Sequence, residues 1–138
     1  MSQPILLDTC AVIWIAEDAA IAKTARAELD AALDDGVPVM VSAMTAWEIG
    51  LLAARGRLIL SLTPERWFSR FVSSPGVELA PLSANVLIAS SYLPGDPPSD
   101  PADRIIAATA RDLGARLMTR DRLLLSYGEL GHLATIAC

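Results

Sequence analysis

A short apolar run followed by a stretch of helical periodicity recurs from one end of this chain to the other, and that alternation narrows the folds open to it. Ile5-Leu6-Leu7 ends at Asp8 and reads as a buried strand, because Pro4 stands too close before it for a helix. Residues 11–16 turn back as a short helix, and residues 19–33 form an amphipathic one, with Ile21, Ala25, Leu29 and Ala32 near helical spacing and Asp34-Asp35-Gly36 as the stop. Residues 37–41 are the second strand; Ser42 caps a helix over residues 43–54 that Arg55-Gly56 ends. Thr63-Pro64 opens a helix to about residue 72, residues 77–80 are a third strand, and Ser83 caps a helix over residues 84–93. After the Pro-rich loop 94–99, a helix runs from about Asp100 to Leu113 and stops at Gly114; residues 117–119 are the fourth strand and residues 133–137 a weakly signalled last one. Strands alternating with helices give an α/β domain whose parallel sheet is covered on both faces. With no repeat, linker or low-complexity tract, residues 1–138 are expected to be a single domain.

Composition removes several function classes. No run approaches the ~18 apolar residues of a membrane span, and no basic segment precedes the first apolar run as in a secretory signal, so a cytoplasmic address is expected. Cys10 and Cys138 belong to no metal-ligand or CxxC pattern and are expected to be reduced thiols. His132 is the only histidine, which excludes paired-histidine zinc motifs. The net charge is −5, so the whole molecule is no electrostatic magnet for nucleic acid, although ten of its eleven bases are Arg, whose planar fork suits phosphate. Apolar residues make up 53% of the chain, an excess that points to surface covered by a partner. The aromatic helix with Trp67, Phe68, Phe71 and Val72 is expected to face the core or that partner, and a homodimer with an apolar groove for a second protein is expected.

Chemistry then rests on carboxylates. In an open parallel sheet, ligands bind at the carboxyl ends of the strands, where loops and helix starts meet. Asp8 follows the first strand, Glu48 lies in the helix after the second, Asp103 sits in the first turn of its helix, and Asp121 follows the fourth strand. Brought together, four carboxylates repel one another unless a cation neutralises them, and Mg²⁺ or Mn²⁺ prefers such oxygen ligands. Each acid also has an ordinary structural role: Asp103 complements a helix dipole beneath an Asp100 cap, Asp121 caps the helix carrying Leu123 to Leu125, Asp8 is a turn acid and Glu48 a solvated one. Only their joint placement is informative. Thr9 and Thr119 either orient a carboxylate or water or are turn hydroxyls, and Arg104, Arg120 and Arg122 either hold phosphates or pair structurally.

Leu6-Leu7-Asp8-Thr9, Thr45-Ala46-Trp47-Glu48-Ile49, Asp100-Pro101-Ala102-Asp103-Arg104-Ile105-Ile106-Ala107-Ala108-Thr109-Ala110 and Thr119-Arg120-Asp121 together resemble the PIN-domain family, and more narrowly the VapC-type toxins of bacterial toxin–antitoxin pairs. The resemblance spans nearly the whole chain. It implies a three-layer α/β/α sandwich with strand order 3-2-1-4-5, Mg²⁺- or Mn²⁺-dependent endoribonuclease activity leaving a 5′-phosphate, and neutralisation by a VapB-type antitoxin. Carried over by position, it makes Asp8 and Asp103 the principal metal ligands, Glu48 and Asp121 the third and fourth acids, and Thr119 the hydroxyl residue two before the fourth.

Two other readings have stated signatures. A phosphotransfer receiver needs a late-strand lysine, whereas Lys23 is early, and an aspartate-nucleophile phosphatase needs a second Asp where Cys10 stands. A non-catalytic binding module on the same fold would not cut RNA in the presence of Mg²⁺ or Mn²⁺.

Overall fold

A computed structural model describes residues 3–138. Five strands, β1 (Ile5–Leu7), β2 (Val39–Ser42), β3 (Val77–Ala80), β4 (Arg116–Thr119) and β5 (Thr135–Ala137), form one sheet in the order β3-β2-β1-β4-β5. Every pairing is parallel, with Leu6 opposite Met40 on one side and Leu117 on the other. The helices are α1 (Thr9–Ala16), α2 (Lys23–Asp34), α3 (Ala43–Ala54), α4 (Pro64–Val72), α5 (Ala84–Ala89), α6 (Pro101–Leu113) and α7 (Arg122–Glu129).

The two-residue period of a strand divides the core in two. Ile5, Leu7, Val39, Val41 and Met118 point to one face and pack with Ala11, Val12, Ala25 and Leu29 of α1 and α2, with Trp67, Phe68 and Phe71 of α4 against them. Leu6 and Leu117 point to the other, where Ile106, Ala107 and Ala110 of α6 and Leu124 and Tyr127 of α7 close over them. Small alanines on α6 let that helix lie close to the sheet. The result is a three-layer sandwich with the expected strand order.

Several boundaries differ from the sequence reading, each for a local reason. Helix α1 begins at Thr9 rather than residue 11, because the Asp8 carboxylate accepts the Ala11 N–H at 2.8 Å and starts the helix at once. Helix α2 begins at Lys23 rather than residue 19, since the chain first reverses through Asp18 at φ 54°. Helix α5 stops at Ala89 instead of running to residue 93: Ser90 turns its hydroxyl back onto the Leu87 carbonyl, while its own carbonyl accepts Arg104 Nε at 2.9 Å. The β2 ladder starts at Val39, past Pro38, and β5 is limited to residues 135–137.

Candidate active site

Strand β1 connects through α1 and α2 to β2 on one side of it, while β4 pairs on its other side, so chain connectivity reverses between β1 and β4. Their carboxyl ends therefore diverge into a crevice. Asp8 leaves β1 there and Asp121 follows β4. Asp8 is 6% exposed, and both of its oxygens are occupied: Oδ1 accepts the Ala11 N–H, and Oδ2 accepts the hydroxyl of Thr119. The same Thr119 oxygen accepts the Asp121 N–H at 3.0 Å, so one buried hydroxyl at the end of β4 ties the two acids together. Asp121 caps α7 by accepting the N–H groups of Leu123 and Leu124 with Oδ1, at 2.9 and 3.0 Å.

Glu48 reaches the same region from α3. Its Oε1 accepts the Thr9 hydroxyl at 2.6 Å, and Thr9 Oγ1 lies 3.1 Å from that of Thr45. Asp103 is held by backbone alone: it is the third residue of α6, after Pro101, and its N–H donates to Asp100 Oδ2 at 2.9 Å. No donor reaches the Asp103 carboxylate among the described residues.

Electrostatics shows that these side chains share one environment. Burial pushes the Asp103 carboxyl up to about 7, with Asp100, Asp121, Glu48 and Asp8 adding repulsion. Glu48 is raised by burial and by Asp100 and Asp8, against the Thr9 hydrogen bond. Asp8 is raised by burial although Thr119 and Ala11 donate to it. Cys10 stands among all four acids: partial burial of its sulfur and the fields of Asp8, Glu48, Asp121 and Asp103 push the thiol up to about 11, so it is no activated nucleophile. Both cysteines are free.

Among the described residues the one ion pair is Arg116–Glu28, so none of the four acids is neutralised by a Lys or Arg contact. Such an uncompensated, all-oxygen donor set fits a hard divalent cation. Among the described residues no three acid, histidine or cysteine groups are already drawn together as a cage, so closure around an ion requires side-chain movement. Asp103, without a donor, is the freest to make it.

The supporting residues divide. Thr9 and Thr119 orient carboxylates, whereas Arg104 donates to the carbonyls of Ser90 and Pro98, and Arg120 donates to the Cys138 carbonyl while stacking 3.8 Å over the Trp14 ring. Arg122 is exposed at the start of α7. Two residues escaped the sequence reading: Asp100, more than a cap because its charge acts on Asp103 and Glu48, and Thr45. Spacing is the signal for both, three residues before Asp103 and three before Glu48, the distance that puts two side chains on one helix face.

A family model of the PIN domain matches residues 5–130. The chain belongs to the PIN-domain family. Among curated proteins, this PIN domain is 32% identical over 123 residues to Ribonuclease VapC22 of Mycobacterium tuberculosis, covering 89% of this chain and 91% of that protein. Similar solved structures include VapBC2 from Rickettsia felis bound to a DNA fragment from their promoter, with TM-score 0.69 and 13% identity, covering 98% of each chain. DNA-bound VapBC from Salmonella typhimurium aligns with TM-score 0.67 and 18% identity over 99% of this chain and 98% of that one. Identities this low show a shared PIN fold.

Proposed function

We propose that this PIN domain is a metal-dependent endoribonuclease, the toxin of a toxin–antitoxin pair neutralised by a VapB-type antitoxin. What supports the reading is that four carboxylates, none paired with a base, lie near enough to act on one another's charge at the carboxyl end of the sheet, without yet forming a cage. The similarity to a VapC ribonuclease along nearly all of its length supports the choice of RNA as substrate.

In this reading Asp8, Asp103 and Asp121 would hold Mg²⁺ or Mn²⁺, and Glu48 would complete the set or orient the attacking water. Bound there, the ion would lower the pKa of a water and offset charge on the phosphodiester. The chain's own part is positioning. Asp8 is fixed by its two donors, Asp121 by the start of α7, and Glu48 by Thr9, while the free Asp103 carboxylate closes the set. RNA phosphates fall to Arg122, since Arg104 and Arg120 are committed to backbone carbonyls.

The antitoxin's place is a cavity of about 200 Å³ lined by Ile15, Leu29, Leu33, Phe71 and Val77, between α1, α2 and α4. It contains none of the four acids. We assign the homodimer contact to α5, where Leu87 and Ile88 are exposed; a monomer by light scattering at high concentration removes that claim. Among the described residues no helix is long and apolar enough to cross a membrane.

Purified wild-type protein and Asp8→Asn, incubated with RNA and Mg²⁺, Mn²⁺ or EDTA and followed by sequencing of cleavage ends, test the assignment. Wild type is expected to cut with either ion and not with EDTA. Asp8→Asn is expected to lose on the order of 10³-fold or more, the scale of several kcal/mol of charge stabilisation. A folded wild type that binds its partner and cuts no RNA under any of these conditions removes the nuclease.

A further inference from the structure

We propose that Thr45 is a positioning residue for Glu48, acting through the hydroxyl of Thr9; this rests on the metal-site reading above. Thr45 is fully buried and Thr9 nearly so. A threonine hydroxyl carries one proton, and an ionised carboxylate can only accept. Thr9 gives its proton to Glu48 Oε1. Its 3.1 Å contact with Thr45 must then run the other way, with Thr45 donating to the Thr9 oxygen.

The relay thus has one direction, from Thr45 to Thr9 to Glu48, and its Thr45–Thr9 step is buried while Glu48 reaches toward the site. It joins α3, which carries Thr45 and Glu48 on one face, to the first turn of α1 beside Asp8. Without the Thr45 proton, the Thr9 hydroxyl is no longer held by a donor from behind, its rotor is released, and the long Glu48 side chain regains freedom that ion binding must remove. Spacing places Thr45 on the helix face of Glu48, but a hydroxyl inside an apolar helix ordinarily bonds its own backbone, so the role shows only in its contact with Thr9.

The test is Mn²⁺ affinity, read by calorimetry, for wild type, Thr45→Val and Thr45→Ser, and for Thr45→Val in a Glu48→Ala background. Valine keeps the volume and branching and deletes the donor; serine keeps the donor. Thr45→Val is expected to weaken Mn²⁺ binding by about tenfold, the low end for outer-shell partners of a metal site, with Thr45→Ser close to wild type. In Glu48→Ala the Thr45→Val change is expected to add no further loss, because the carboxylate through which it acts is gone. If circular dichroism shows Thr45→Val unfolded, Thr45→Ala carries the same comparison. A folded Thr45→Val variant with wild-type affinity overturns the proposal, as does an equal loss in the Glu48→Ala background. A wild type that takes up no Mn²⁺ fells the metal reading itself, and the proposal with it.

Discussion

Asp8, Glu48 and Asp121 each accept a hydrogen bond from the protein, and Asp103 accepts none among the described residues, so burial of the Asp103 carboxyl acts without a compensating donor. Folded Asp103 keeps its proton up to about pH 7, whereas its ordinary value is 3.8. Between those values the folded state binds more protons than the unfolded one, so the metal-free protein loses stability as pH rises through that window. Asp103→Asn removes the charge and is expected to raise the metal-free Tm at pH 8, with the gain disappearing toward pH 4. A cation must displace the same proton, and wild-type Mn²⁺ affinity is expected to fall as pH drops below about 7. Thermal scans and Mn²⁺ titrations between pH 5 and 8 check both signs; a Tm of Asp103→Asn below wild type at pH 8 contradicts the account. Legibility at this scale was partial: Asp8, Asp103 and Asp121 stand out because each follows a strand or opens a helix, and Glu48 because it interrupts an apolar helix between Trp47 and Ile49, but hydroxyl partners are set by which helices touch, and no spacing encodes that Thr9 reaches Glu48 across α1 and α3.

Helix α6 shows how one residue serves an element and a site together. Asp100 accepts the Asp103 N–H as N-cap, which contributes about 1 kcal/mol to the helix, while its charge pushes the Asp103 carboxyl up. The two effects separate by substitution. Asp100→Asn retains a good cap and removes the repulsion, so stability is expected to hold while the Asp103 pKa moves down and Mn²⁺ binding persists to lower pH. Asp100→Ala is expected to shift the pKa in the same direction and to cost about 1 kcal/mol as well. Urea unfolding with NMR titration of the Asp103 carboxyl distinguishes them; equal stability of the two variants removes the capping role. Elements with a cap and a stop in the sequence, such as α3, α4 and α6, are readable to within a residue. Those whose ends depend on distant groups are not: α5 stops where Arg104, fourteen residues on, takes the Ser90 carbonyl, and α2 waits for a reversal at Asp18 that apolar spacing cannot show.

At the scale of the molecule, the two faces of the sheet are not equally finished. Over Leu6 and Leu117, α6 and α7 bring alanines, Leu124 and Tyr127 into full burial. Over Leu7 and Val39, α4 contributes no fully buried residue; its stacked Trp67 and Phe71, with ring centroids 6.0 Å apart, are only partly covered, and the cavity opens beside them. Apolar surface left in this state is stabilised by association, which gives the excess of apolar residues in the chain a place. Leu33 stands at its rim, 47% exposed on α2, with the tip of its side chain against Gly76, which takes a φ of 81°. Because Leu33 is largely outside the core, Leu33→Asp is expected to change stability little, yet it places an unpaired charge where an apolar partner surface must seat. A loss of at least ~2 kcal/mol in binding to a VapB-type antitoxin, roughly thirtyfold in Kd, is the scale for a buried interface position. RNA cleavage by the free protein is expected to stay at the wild-type rate, since the four carboxylates lie outside this cavity. Co-expression of the variant with its antitoxin reads both at once: cells should lose protection while the purified toxin cuts normally. Undiminished protection with unchanged Kd would move the antitoxin to another face of the molecule and leave the nuclease site as described.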